Sequence, residues 1–98
     1  MTDARTVYVG HRATVEQVTE GVATWQKQTG DETEYGVDTD GDGYPGMGFA
    51  IDVYAENDGE QLAARDRIAA GIRPLLGDIP VATDSELDQW VLTSTDQR

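Results

Sequence analysis

The run Val37 to Gly46, VDTDGDGYPG, holds the chain's densest chemistry. Asp38, Asp40 and Asp42 alternate along it, followed by Gly43 and by Tyr44, whose backbone carbonyl falls where an oxygen ligand could add to three carboxylates. Hard cations such as calcium take six to eight oxygens around a tight backbone turn, and a calcium loop draws them from its positions 1, 3, 5 and 7, with glycine at position 6. Here the first seven positions fit. The later ones do not: Gly46 stands at position 9, and Phe49 stands at position 12, where a bidentate carboxylate would close the site.

The stretch DTDGDGYPG also resembles the calcium loops of thrombospondin type 3 repeats, which open on the same alternation of aspartates before glycine. That resemblance is local and implies calcium held by Asp38, Asp40 and Asp42. A second reading uses the same residues. Asp-Gly pairs at residues 40–41 and 42–43 are hairpin-turn signals, because glycine accepts positive φ, and Pro45 with Gly46 adds another turn. A hairpin loop without metal is the expectation, and a weak calcium site is the alternative; no other cofactor is expected.

Elsewhere the inventory for catalysis is thin. His11 is the single histidine, Ser85 and Ser94 are the two serines, and cysteine is absent. No nucleophile motif surrounds either serine, so the chain is expected not to be an enzyme. The segment GHRAT, residues 10–14, could offer amides and Arg12 to an anion, but it lacks the glycine pattern of a phosphate loop. Absence of cysteine removes disulfides and thiolate metal sites together.

Charge is the strongest global signal. With 19 acidic against 7 basic residues the net charge is −12, which repels phosphate backbones and disfavours direct nucleic-acid binding. Two explanations compete for it. Scarce lysine and abundant aspartate match the style of a halophilic or high-GC organism, in which case the chain is a small accessory subunit and its acidity only keeps it solvated. Alternatively the carboxylates engage a protein partner with a basic surface, as an inhibitor, an immunity protein or a nucleic-acid mimic would. The first explanation is the expected source of the charge itself, and the leading functional reading is a non-enzymatic protein-binding module that uses it.

The elements that must carry these residues follow from periodicity. Thr6 to Gly10 reads as a strand, and Thr14 with Gln17 forms a capping box for a helix from Val15 to Thr29. Its expected inner face is Val15, Val18, Val22 and Trp25, with Gly30 as the left-handed stop. ETEYGV and GFAIDVYA alternate as two strands flanking the aspartate loop. Asn57 with Glu60 opens a second helix whose expected face is Ala64, Ile68, Ile72 and Leu75, widened by Leu62, Ala69 and Leu76. Pro74 tightens or ends the last turn of that helix, and Gly77 closes it. A short strand near Ile79 to Ala82 comes next, then a capped segment at Thr83 to Glu86 and a strand carrying Trp90, Val91 and Leu92. A short helix from Ser85 is the alternative.

At 98 residues the chain suits a single domain, residues 1–98, burying roughly 60 to 65% of its unfolded surface. The order β-α-β-β-α-β implies an α+β sandwich of ferredoxin-like topology, two helices on one sheet face and an additional C-terminal strand as an option. The other face is expected to be open, carrying Ala50, Asp52 and Tyr54, and to serve contact or homodimerisation. Tyr44, Asp52, Tyr54 and Trp90 are therefore the candidate contact residues. No apolar run is long enough to span a membrane, and the stretch MTDARTVYVG lacks signal-peptide features, so a cytoplasmic protein without membrane contact is expected.

Overall fold

The computed structural model describes residues 5–41, 44 and 46–87. Among them the chain forms β1 (Arg5–Gly10), α1 (Val15–Thr29), β2 (Glu34–Asp38), β3 (Met47–Tyr54), α2 (Asp58–Leu76) and β4 (Val81–Thr83). Residues 84–87 continue from β4 as a helical turn. The four strands make one antiparallel sheet in the order β2-β3-β1-β4. Since β3 is antiparallel to both β1 and β2, those two run parallel with β3 inserted between them, and α1 connects them.

Both helices cover the same sheet face. Strand alternation sends Val7, Val9, Phe49, Ile51 and Val53 to that face, where they meet Val18, Val22 and Trp25 of α1 and Ala64, Ile68, Ala69, Ile72 and Leu76 of α2. At about 25 cal/mol per Å² of apolar surface removed from water, each fully buried aliphatic side chain of this set contributes roughly 1.5 to 3 kcal/mol.

The helix starts are built as their sequences dictate. Thr14 Oγ1 accepts from the Gln17 amide at 3.1 Å while Gln17 Oε1 accepts from the Thr14 amide at 2.8 Å, and Gly30 stops the helix with φ 75°. In α2 the Asn57 side chain accepts from the Glu60 amide at 2.9 Å, half of the expected box. Pro74 sits within the last turn of α2, which runs on to Leu76 before Gly77 closes it.

Three expectations about faces are corrected. Val15 is 40% exposed and Leu75 43% exposed; the buried face of α1 is Val18, Gly21, Val22 and Trp25, and the buried row of α2 ends on Leu76. Gln61 and Arg65 are buried on α2, in i, i+4 register with the apolar row. The second sheet face is not wholly open either: Tyr8, Ala50 and Leu87 bury one another there, flanked by Tyr44, Met47 and Ala82. Residues 84–87 turn Leu87 back onto that face because Thr83 and Glu86 form a reciprocal cap. Thr83 Oγ1 accepts from the Glu86 amide, and Glu86 Oε1 accepts from the Thr83 amide. The segment from Thr83 to Glu86 is therefore a capped helical turn. The strand expected at Trp90 to Leu92 lies outside the described residues.

Two carboxylates are wired into this frame. Burial pushes the Asp31 carboxyl up, but hydrogen bonds from Thr33 and from the Arg67 guanidinium outweigh it and hold Asp31 below its ordinary value. Glu86 is likewise lowered: burial raises it, and the bonds from Thr83 together with Arg73 prevail. A depressed folded pKa gives stability that is present above the unfolded pKa and lost as pH falls through the folded one. Stability is therefore expected to decline on acidification below about pH 4, the ordinary carboxylate range. In thermal melts from pH 7 to 2, Asp31→Asn should start lower than wild type and lose less. Parallel curves for the two proteins would count against this wiring.

Candidate functional site

The aspartate loop docks against the corner between β1 and α1. Tyr44 N–H donates to the Gly41 carbonyl at 3.1 Å, and Met47 N–H donates to the Tyr44 carbonyl at 3.1 Å. Two successive turns thus form, and the carbonyl expected to serve a cation accepts from an amide of its own loop. The Gly46 carbonyl accepts both the His11 amide and His11 Nδ1 at 3.0 Å. A carbonyl cannot donate, so Nδ1 carries the proton.

The described glycines of the loop divide between two roles, and Gly43 lies outside the described residues. Positive φ occurs at Gly46, 81°, and not at Gly41. Gly41 is needed for space instead, since a Cβ there would overlap the Met47 carbonyl. Gly48 has a similar role: its Cβ would come within 2.7 Å of His11 Cα. It is also the extra residue of a bulge, because β1 pairs Val9 with Phe49 but Gly10 with Met47.

Of the loop's expected ligands, Asp38 ends β2 on the second sheet face and Asp40 is exposed. Asp42 lies outside the described residues. Among the described residues no group of three or more His, Cys, Asp or Glu side chains is arranged to hold a metal ion.

The candidate contact residues separate into two places. Tyr44 packs its ring on Tyr8, centroids 4.9 Å apart, so it belongs to the small cluster over β1. Asp52 is half-buried beside Thr6, whose hydroxyl donates to Asp52 Oδ1 at 3.2 Å. Tyr54 is 47% exposed at the end of β3. Trp90 lies outside the described residues.

Around Tyr54 the chain forms a groove of about 1160 Å³, between the ends of β2 and β3 and the first turns of α2. Glu32, Glu34, Glu56 and Glu60 line it, with Arg67 as the single cation among the described residues of the wall. Arg67 is committed to Asp31, Nε to Oδ2 at 3.1 Å. Other arginines are similarly engaged within the fold: Arg65 with Asp66 and Asp84, Arg73 with Glu86. Sequence reading missed the groove because Glu32, Glu34, Glu56 and Glu60 lie on separate segments that only the fold brings together. The signal available was the exposed Tyr54 followed within a few residues by Glu56 and a helix start.

Among the described residues no helix is long and apolar enough to cross a membrane. In comparisons with known proteins, no family model, no curated protein and no solved structure matches this chain.

Proposed function

We propose that this chain is a non-catalytic binding module that engages a basic region of a protein partner through the groove around Tyr54. The observation that carries the reading is the groove's unanswered charge: four glutamates and one arginine, and that arginine already serves Asp31. Such a wall lowers the potential locally and attracts a cationic segment, while the exposed Tyr54 ring offers a face on which a guanidinium can stack. The same acidity supports the exclusion of nucleic acid as a direct ligand.

The fold reading belongs with this proposal. Strand order β2-β3-β1-β4 with β3 inserted between the parallel pair β1 and β2 supports a ferredoxin-like sandwich, in which two split β-α-β units interleave. That arrangement leaves the ends of β2 and β3 beside the start of α2, where the groove forms.

A labelled arginine-serine peptide is the probe. Its anisotropy titration should show affinity that falls steeply as salt rises from about 50 mM to 500 mM. Replacing Glu56 and Glu60 together by glutamine should weaken binding about tenfold, equivalent to roughly 1.4 kcal/mol. Glu16→Gln with Glu20→Gln, on the exposed side of α1, should leave it within about twofold. Equal losses from both pairs would mean that the attraction is diffuse and the groove is not the site.

A further inference from the structure

A sheet edge presents unpaired backbone groups, and natural edges are protected by charge, bulges or cover. Among the described residues β2 is one edge of this sheet, and its side chains divide cleanly. Tyr35 and Val37 pack against the core. Glu34, Gly36 and Asp38 alternate with them and so lie on the other face, opposite Tyr54, Asp52 and Ala50 of β3.

At Gly36 the strand has no side chain of its own. A Cβ placed there would lie 3.7 Å from Tyr54 Oη and 3.8 Å from Tyr54 Cε2. The Tyr54 ring therefore reaches from β3 over Gly36 of β2, the strand at the rim of the described sheet. Along that rim the order is carboxylate, aromatic ring, carboxylate.

Pairing with a second copy is opposed by this order. If two β2 strands met antiparallel about Gly36, each Glu34 would face Asp38 of the other copy, two like-charge cross-strand pairs. A strand with cations four residues apart would instead answer both carboxylates at once. We propose that the β2 edge accepts an extended basic segment of a protein partner by strand addition. Arginine or lysine would sit opposite Glu34 and Asp38, the residue between them would meet Tyr54, and apolar residues would alternate toward Tyr35 and Val37. Backbone bonds supply the attachment in this mode, and side-chain pockets supply the selection. The inference rests on the basic-partner reading and adds to it a site and a conformation for the partner.

The test uses the full chain labelled with nitrogen-15 and three peptides. One has the core arginine-valine-serine-valine-arginine; the second replaces its serine by proline, which breaks a strand; the third replaces both arginines by glutamate. The first peptide should slow amide exchange within residues 34–38 and bind at least tenfold more tightly than the other two. Glu34→Lys with Asp38→Lys should reverse the preference, so that the glutamate peptide binds instead. If the first two peptides bind equally and shift only amides near Glu56 and Glu60, strand addition is overturned and the basic-partner reading stands. Equal binding of the arginine and glutamate peptides at β2 would overturn the partner's charge class. Absence of binding by either arginine peptide would sink both readings.

Discussion

Replacing Gly71 by alanine should destabilise the protein by about 2 to 3 kcal/mol, although alanine is the better helix former by roughly 1 kcal/mol. Gly71 lies in the C-terminal third of α2, under the indole of Trp25, a residue only 8% exposed. A Cβ at Gly71 would overlap Trp25 Cδ1 and Nε1 and come within 2.6 Å of Cγ. The aromatic ring is not a flexible chain end, so either it or the helix axis must move. Gly21, the corresponding small residue on α1, is the control. Its Cβ would meet Leu76 Cδ2 at 3.8 Å, an ordinary contact, so Gly21→Ala should be neutral or stabilising by up to about 1 kcal/mol. Urea unfolding of both variants provides the comparison. Shortening the ring by Trp25→Leu should remove most of the Gly71→Ala penalty in a double-mutant cycle. If Gly71→Ala proves as harmless as Gly21→Ala, the helices do not interlock at this point.

Local rules make much of this fold legible in the sequence. Thr14 with Gln17, Gly30 and the row Val18, Val22, Trp25 define α1 because capping and a 3.6-residue period act within a few residues of chain. Strands β2 and β3 alternate from Tyr35 and Val37 to Phe49, Ile51 and Val53, so which of these residues share a face follows from the sequence alone. What was not legible depends on contacts between distant segments. Leu87 could be placed on the second sheet face only once Thr83 and Glu86 had turned the chain back toward Tyr8 and Ala50. Gln61 and Arg65 occupy buried positions that periodicity assigns to apolar residues, and an arginine is kept there only if partners arrive from elsewhere. The groove has the same origin, since Glu34 and Glu60 approach one another through the packing of α2 beside the ends of β2 and β3.

Arg65 decides whether the second face stays covered. Its guanidinium side chain is 7% exposed and donates from Nη1 to Asp84 Oδ1 at 2.8 Å and to Ser85 Oγ at 2.9 Å, and from Nη2 to Asp66 Oδ1 at 2.9 Å. Burial disfavours the charged guanidinium, yet the bonds and charges of Asp66 and Asp84 overcome this and hold its pKa above the ordinary value. The group is therefore a permanent cation that ties α2 to the start of the helical turn carrying Leu87. Arg65→Ala should cost about 3 kcal/mol, combining the lost charge-assisted bonds with the cavity left by the stem. Arg65→Met should cost less, because it restores the packing, and because Asp66, 63% exposed, and Asp84, 23% exposed, retain access to water. Arg65→Lys keeps the charge but lacks the planar fork that reaches Asp66 on one side and Asp84 with Ser85 on the other, so it should fall below wild type despite its charge. A consequence at a distance separates this account from simple loss of packing. With residues 84–87 no longer anchored, Leu87 should leave Tyr8 and Ala50. In Arg65→Ala the amides of those two residues should exchange faster than those of Val7 and Ile51 on the helix-covered side, and concentration-dependent self-association should appear in sedimentation as the uncovered apolar patch finds a second copy. Uniformly faster exchange on both sides of the sheet, with the protein still monomeric, would show that Arg65 serves global stability only and that Leu87 is held by other contacts.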